Sequence, residues 1–282
     1  MVNEFSAEYF NARDTLECGQ IFRYKPYKKG YFVISTDKAC YIYTEDNKTY
    51  VESDFPDYFI KFFDAARDYS LIYKNALSYG NDFIGKAAKA AKGVRILNQD
   101  KSEMLYSFLI SQNNHIPRIK AIIERLSASL GEKKIFMGEE YFSFPTSEKL
   151  AEKDAEFYFE KGLGYRAEYM SACSKAVING FDLEKKSALP TCALKKELLT
   201  LKGVGPKVAD CISLFGYGRT DCFPVDTWIE KIYHENFLGT LSDRNKITNY
   251  FTTMFQENSG FIQQYIFYYK RSLEKIKNNN RN

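Results

Sequence analysis

The segment from Leu194 to Lys231, which contains LLTLKGVGPKVADCISLF and then FPVDTWIEKI, constrains the fold more than any other part of this chain. Leu194, Leu198 and Leu201 recur at helical spacing and make one apolar face. Gly203-Val204-Gly205 follows as a tight turn that uses glycine's backbone freedom, and Pro206 fits the first position of a second helix. The pattern is a helix-hairpin-helix over about residues 191–216. Its hairpin directs backbone N–H groups and a helix N-terminus outward, an arrangement suited to one phosphate of a DNA strand. Gly203, Val204 and Gly205 are therefore candidate phosphate contacts. Such hairpins also occur in proteins that only hold DNA, so the motif alone leaves catalysis open.

Chemistry enters with Lys207 and Asp226. Asp226 closes Pro224-Val225-Asp226, 19 residues after Lys207, at the start of the next helix, where an ordinary N-cap aspartate would also be at home. Lys207 falls in the first turn of its helix, where the positive end of the macrodipole and desolvation are expected to lower the amine pKa. A neutral amine is a nucleophile, and a nearby carboxylate can orient it, take its proton or stabilise a developing cation. Lys207, Cys211 and Phe215 recur every four residues and share one helix face. Gln264 and Tyr268 have the same spacing near the C-terminus. An amide that reads a base edge and a ring that stacks on it are what a flipped base requires.

The rest of the chain divides into a β-rich part, residues 1–90, and a helical part, residues 91–282. YFVIST (31–36) and ACYIYTED (39–46) read as antiparallel strands, with Asp37-Lys38 and Asp46-Asn47 as turn chemistry. Tyr58, Phe59, Phe62 and Phe63 then fall at helical spacing, with Leu71, Tyr73 and Ala76 after them. Asp100 and Glu103 form a capping-box-like start to a helix ending near Gln112, and another helix runs from about Pro117 to a stop at Gly131. Pro145-Thr146-Ser147 opens a helix, Tyr165 to Ile178 forms one more, and the polar tail from Lys275 to Asn282 is expected to fray.

The 40 basic residues against 36 acidic give a formal charge of +4, so any surface for DNA must be a local patch. The six cysteines are scattered with no C-x-x-C pair, and there are two histidines, His115 and His234. No metal site and no cofactor are expected from these residues. The N-terminus lacks a basic segment followed by an apolar run, and no stretch approaches a membrane span, so an intracellular monomer without membrane attachment is expected.

CGQIFR (18–23), GVRILNQD (93–100), SQNNHIPRI (111–119), GLGYRAEY (162–169), GVGPKVADC (203–211) and PVD (224–226) stand in this order along the chain. On these segments the sequence resembles the 8-oxoguanine DNA glycosylase family of the helix-hairpin-helix (HhH-GPD) superfamily. The resemblance implies an α+β fold, a small TBP-like antiparallel sheet domain packed on a mostly helical domain. It implies a bifunctional glycosylase/lyase acting on double-stranded DNA that contains oxidised guanine, preferentially opposite cytosine. Lys207 would form a Schiff base with the sugar, Asp226 would be the essential carboxylate, and the Gly19 carbonyl would accept N7–H of the lesion. Cys211 and Tyr268 would sandwich the flipped base while Gln264 reads its Watson-Crick edge. Asn113 and Tyr165 would fill and wedge the vacated stack, and Arg118 and Arg166 would hold the orphaned cytosine. Tyr268 stands where phenylalanine is often found, Trp228 where eukaryotic members have a phosphate-contacting histidine, His115 in place of a third asparagine and Lys202 in place of a proline. A glycosylase for another damaged base and a non-catalytic DNA-binding protein are the alternative readings.

Overall fold

A computed structural model describes residues 1–279 of the chain, with side chains through residue 274. Five antiparallel strands come first: β1 (Val2–Ser6), β2 (Tyr24–Tyr27), β3 (Gly30–Ser35), β4 (Lys38–Glu45) and β5 (Lys48–Ser53), in the spatial order β1-β5-β4-β3-β2. Val33 pairs with Cys40 and Ile42 with Val51. These four side chains pack on Phe10, Phe59, Phe62 and Phe63. The opposite face, with Phe32 and Tyr41, is covered by a hairpin of β6 (Lys133–Phe136) and β7 (Glu139–Phe142) through Phe136 and Tyr141. Burial on both faces explains why β3 reads as a continuous apolar run rather than an alternation. The covering hairpin was not expected from the sequence. It turns on Met137 and Gly138, both at positive φ, as a two-residue hairpin loop requires.

The helices are α1 (Ala12–Glu17), α2 (Pro56–Phe62), α3 (Tyr69–Ser78), α4 (Asp82–Ala90), α5 (Lys101–Ser111), α6 (Ile116–Leu130), α7 (Ser147–Ala151), α8 (Ala155–Glu160), α9 (Arg166–Ile178), α10 (Thr191–Leu198), α11 (Pro206–Tyr217), α12 (Thr227–Asn236), α13 (Arg244–Phe255) and α14 (Ser259–Asn279). At the centre, α5 is buried without interruption from Glu103 to Ile110. Tyr69, Ile72, Ala76, Ile84, Ala87 and Ala88 join the same core, so α3 and α4 sit with the helical layer although they precede residue 91. Leu71, by contrast, is exposed. Of the tail expected to fray, residues 275–279 continue α14 and residues 280–282 lie outside the described residues. Among the described residues no helix is long and apolar enough to cross a membrane.

Two buried polar junctions join the layers. The Gln20 amide nitrogen donates to the carbonyls of Thr15 (3.0 Å) and Arg95 (2.6 Å), and its oxygen accepts from the Leu97 N–H (2.9 Å). The second junction corrects the capping-box expectation. Asp100 does cap α5, accepting from Glu103 N–H at 2.8 Å, but Glu103 does not reach back. Its carboxylate accepts from Thr36 N–H at 2.7 Å and faces the buried Arg23 guanidinium at 3.9 Å, crossing from helix to sheet.

Burial pushes the Glu103 carboxyl up to about 7, with Arg23 opposing. A carboxyl whose pKa rises on folding binds more protons in the native state. Its contribution to stability is therefore full below the unfolded value near 4.5 and is lost as pH rises through about 7. We expect urea unfolding to lose roughly 3 kcal/mol between pH 4.5 and pH 8 from this group. Glu103→Gln should remove that component of the pH dependence, and an unchanged pH profile in the variant would contradict the assignment.

Candidate active site

The two glycines of the hairpin between α10 and α11 are required for different reasons. Gly203 has φ +86°, and a Cβ there would lie 2.3 Å from the Tyr169 ring, so the turn closes only on glycine. At Gly205, with φ −90°, a Cβ would meet nothing within 4 Å. The protein does not need glycine at that position, whereas a ligand approaching the backbone would. Val204, 5% exposed, anchors the turn between them. Gly205 is the N-cap of α11 and supplies no side-chain cap, which leaves the first N–H groups of that helix available.

The hairpin forms one wall of a cleft of about 690 Å³. Lys207, Asp226, Asn113, Tyr165, Gly19, Thr227, Trp228 and Arg244 all line it. Five helices present their N-terminal residues to this cleft: α6 through Ile116, α9 through its cap Tyr165, α11 through Gly205 to Val208, α12 through Asp226 to Trp228 and α13 through Arg244. Asp226, Asp243 and His115 cap α12, α13 and α6, whereas α9 and α11 have no side-chain cap and keep the positive ends of their dipoles open. A net charge of only +4 is compatible with binding a polyanion where the uncapped hairpin end of α11 lies in one cleft with Lys207 and Arg244.

Asp226 does cap α12: its Oδ1 accepts from Trp228 N–H at 3.0 Å and Ile229 N–H at 2.9 Å. The ordinary N-cap role and the chemical one are compatible, because these bonds fix the carboxylate and employ one of its two oxygens. The Lys207 ammonium lies 5.5 Å from the Phe108 ring centre. Burial disfavours charge on Lys207, but Cys211 and the Asp226 carboxylate outweigh it, and the net displacement of the amine pKa is upward. Burial pushes the Cys211 thiol itself up to about 11, leaving Asp226 as the anionic partner. The lowered lysine pKa expected from helix position and burial is therefore not met. Burial acts in the expected direction, and Cys211 together with Asp226 overrides it.

Behind Lys207 the cleft narrows to a recess of about 50 Å³ lined by Gly19, Phe108, Lys207, Cys211, Phe215, Pro224, Asp226, Gln263, Gln264 and Phe267. That volume suits water rather than a purine, so a base can enter only if the walls part. Gly19 has φ +93°, and a Cβ would meet the Arg271 guanidinium at 2.8 Å. Its neighbours are tied on both sides: Gln264 donates to the Cys18 carbonyl at 3.0 Å and Gln99 to the Gln20 carbonyl at 2.9 Å. Among the described residues no hydrogen bond is made to the Gly19 carbonyl between them.

In the closed recess the two rings of the C-terminal wall are placed differently. Tyr268 does not line the recess; its hydroxyl donates to Asp14 Oδ1 at 2.5 Å, and the ring facing the recess is Phe267. Gln264 borders the recess with its amide nitrogen committed to Cys18. Gln263, 6% exposed, also borders it, and its Oε1 has no partner. Gln263 and Phe267 thus repeat the amide-then-ring spacing one residue earlier. Sequence reasoning missed both, and also missed Arg244, for which the sequence carries no local signal.

The remaining candidates gather around the turn after α5. Asn113, exposed and at φ +44°, stands beside Tyr165, which is 52% exposed and reaches the Gln112 carbonyl at 3.4 Å. Exposed Arg118 donates to the Gly162 carbonyl at 3.2 Å. Arg166 is 3% exposed and holds the carbonyls of Gln112, Asn113 and Leu163. It neutralises the C-terminal end of α5, a role distinct from the cytosine contact that the resemblance implies. The four residues are assembled together, with Arg166 facing inward.

A lysine behind a helix-hairpin-helix, a helix-capping aspartate across from it and a closed recess beneath both place the chain among the helix-hairpin-helix DNA glycosylases. Comparison with known proteins narrows the class. Residues 3–105 match the model of the 8-oxoguanine DNA glycosylase N-terminal domain, and residues 106–256 match that of the HhH-GPD superfamily of base excision DNA repair proteins. A structure of MBOgg1 with a low-affinity DNA ligand is 35% identical, with a TM-score of 0.91 over 97% of this chain and 96% of that one. The Clostridium acetobutylicum 8-oxoguanine glycosylase/lyase, bound to double-stranded DNA with cytosine opposite 8-oxoG, is 34% identical, with a TM-score of 0.90 over 97% and 98%. A probable N-glycosylase/DNA lyase of Methanothermobacter thermautotrophicus is 29% identical over 229 residues, covering 74% of this chain and 71% of that protein. The chain belongs to the 8-oxoguanine DNA glycosylase family of the HhH-GPD superfamily. It is a DNA N-glycosylase of the kind that also cleaves abasic sites.

The two rings of α14 should separate experimentally. Tyr268→Phe loses the bond to Asp14 and is expected to cost about 1 kcal/mol in denaturant unfolding while leaving single-turnover excision within about twofold. Phe267→Ala removes a ring from the recess wall and is expected to slow excision roughly tenfold or more. Equal effects of the two substitutions on excision would show that the wall has been assigned to the wrong register.

Proposed function

We propose that this protein excises 8-oxoguanine from duplex DNA, preferentially opposite cytosine, and cleaves the strand through a Schiff base on Lys207. The observation that carries the proposal is the convergence of Gly19, Lys207, Asp226 and Gln263 on one recess beside the cleft. A nucleotide rotated out of the helix would place its base in the recess and its sugar beside Lys207. The Gly19 carbonyl is an acceptor held between two tethered neighbours. It suits 8-oxoguanine, which carries N7–H, and repels guanine, whose N7 is a lone pair. The unpartnered Gln263 Oε1 suits the N–H donors of the purine's Watson-Crick edge, with Cys211 and Phe267 as the candidate faces of the base slot.

In the reaction we infer, the neutral Lys207 amine forms a bond to C1′ as the glycosidic bond breaks and its electron pair leaves with the base. Asp226 stabilises the positive charge that builds on the sugar and orients the amine. Opening of the sugar gives the Schiff base. Loss of a proton from C2′ then breaks the C3′–O bond, and the electrons leave with the 3′ phosphate. Asn113 and Tyr165 fill and wedge the stack, as their exposed positions beside the cleft support. Arg118 and Arg166 hold the orphaned cytosine, whose O2 and N3 accept from guanidinium groups. In this reading Arg166 must first exchange its contacts with the Gln112 and Asn113 carbonyls for those to cytosine. The relative bound to DNA with cytosine opposite 8-oxoG supports the same choice of partner base. The hairpin Gly203-Val204-Gly205 holds a phosphate through backbone N–H groups.

Borohydride trapping on duplexes carrying 8-oxoguanine opposite each normal base tests the proposal. A covalent adduct is expected with cytosine opposite, and it should be absent from Lys207→Gln. Tight DNA binding with neither adduct nor base release would reduce the protein to a DNA-holding module.

The upward displacement of the Lys207 pKa sets a pH dependence, because the neutral fraction of the amine grows about tenfold per pH unit below its pKa. Single-turnover excision should therefore rise steadily from pH 6 to pH 9. A plateau already at pH 6 would mean that DNA binding reverses the displacement.

A further inference from the structure

Among the described residues, two cationic side chains line the cleft, Lys207 and Arg244. They cannot serve the substrate in the same way. If Lys207 attacks the sugar it must give up its charge, and a neutral amine is no lasting counter-ion for a phosphodiester. A guanidinium keeps its charge at any pH at which the enzyme works.

Arg244 is the first residue of α13 and lies beside Asp226, Thr227 and Trp228 in the cleft lining, whereas Gly205 and Pro206 belong to the hairpin. Its Nε and Nη2 both donate to Glu230 Oε2, at 2.9 and 2.8 Å. Glu230 stands on α12, one turn beyond the Asp226 cap, so the guanidinium is tethered to the helix that carries the essential carboxylate. A guanidinium has five N–H donors, and Glu230 takes two of them. The side chains are 48% and 25% exposed, as in a surface pair that binds weakly and can share its donors with an anion. Trp228 borders the same part of the cleft with its backbone N–H already committed to Asp226, so its indole acts there as a wall rather than as a phosphate donor through the main chain.

A nucleotide turned into the recess carries one phosphate on each side of its sugar. The hairpin, with unoccupied N–H groups and an open approach at Gly205, can take one. Resting on the glycosylase reading above, we propose that Arg244 binds the other phosphodiester flanking the flipped nucleotide. Hairpin and guanidinium together then grip the nucleotide across the cleft, with Glu230 orienting the fork.

The test uses the full-length protein with two duplexes of one sequence, one undamaged and one carrying a tetrahydrofuran abasic analogue opposite cytosine, with binding followed by fluorescence anisotropy from 50 to 200 mM salt. Arg244→Gln should weaken binding to the analogue duplex roughly tenfold and reduce the slope of log affinity against log salt by about one. On the undamaged duplex, where no nucleotide is flipped, the loss should be about threefold or less by the same contact logic. Lys246→Gln, an exposed lysine of the same helix outside the cleft, should leave the preference for the analogue intact. Equal losses on both duplexes, or an unchanged slope, would overturn the proposal. Thermal melting of the variants shows whether each is folded, and Arg244→Lys supplies a second variant that keeps the charge but loses the fork. The analogue has no base and no scissile bond to a base. The result therefore stands apart from the lesion's identity, and a wrong choice of lesion would show instead in the trapping experiment.

Discussion

The position of the whole site depends on one buried side-chain amide. Gln20 is fully enclosed and spends its amide on the Thr15 and Arg95 carbonyls and the Leu97 N–H, tying the segment after α1 to the stretch before α5. Gln99 continues the junction: its side chain holds the Gln20 carbonyl and its own N–H donates to Phe215 at the end of α11. Residues far apart in sequence are thus fixed within a few bonds of one another, and Gly19 reaches the helix that carries Lys207. Buried amides left without partners cost more than they gain when paired. The junction therefore accepts one arrangement, and the recess inherits its precision.

The hairpin and the wedge share a support in the same way. Tyr169 fills the space that a side chain at 203 would need, and its ring meets Tyr165 edge-on at 5.8 Å. Arg166, next along α9, closes the turn bearing Asn113. The surface proposed to take a phosphate and the surface that would enter the base stack are therefore connected through one helix.

Much of this was legible in the sequence because it rests on local rules. The hairpin glycines, Pro206 and the capping aspartates declare themselves by conformation and spacing, and the two central strands by composition. What escaped was set by packing across distance. The hairpin β6–β7 exists because it covers Phe32 and Tyr41, which no local pattern in residues 133–142 announces. Glu103 satisfies the spacing of a capping box, yet the buried Arg23 and the Thr36 N–H claim it. In α14 the adjacent Gln263 and Gln264 are each followed four residues later by an aromatic ring, so two registers fit the same chemical rule. A helix turns about 100° per residue, and only the packed neighbours decide which register faces inward. The Lys207 pKa failed for a related reason: helix position was visible in the sequence, but the balance of burial against Cys211 and Asp226 was not.

The lining of helix ends also bears on how such a protein travels along a genome. The field of a helix terminus fades within about one turn, whereas formal charges act over a Debye length of about 10 Å. With acidic and basic residues nearly balanced over the chain and the uncapped hairpin end acting only at short range, the attraction for DNA in the function proposed above is strong only at contact. On the function proposed above, undamaged duplex that never delivers a nucleotide into the cleft would be released quickly, and long residence would be reserved for a strand that has already been opened.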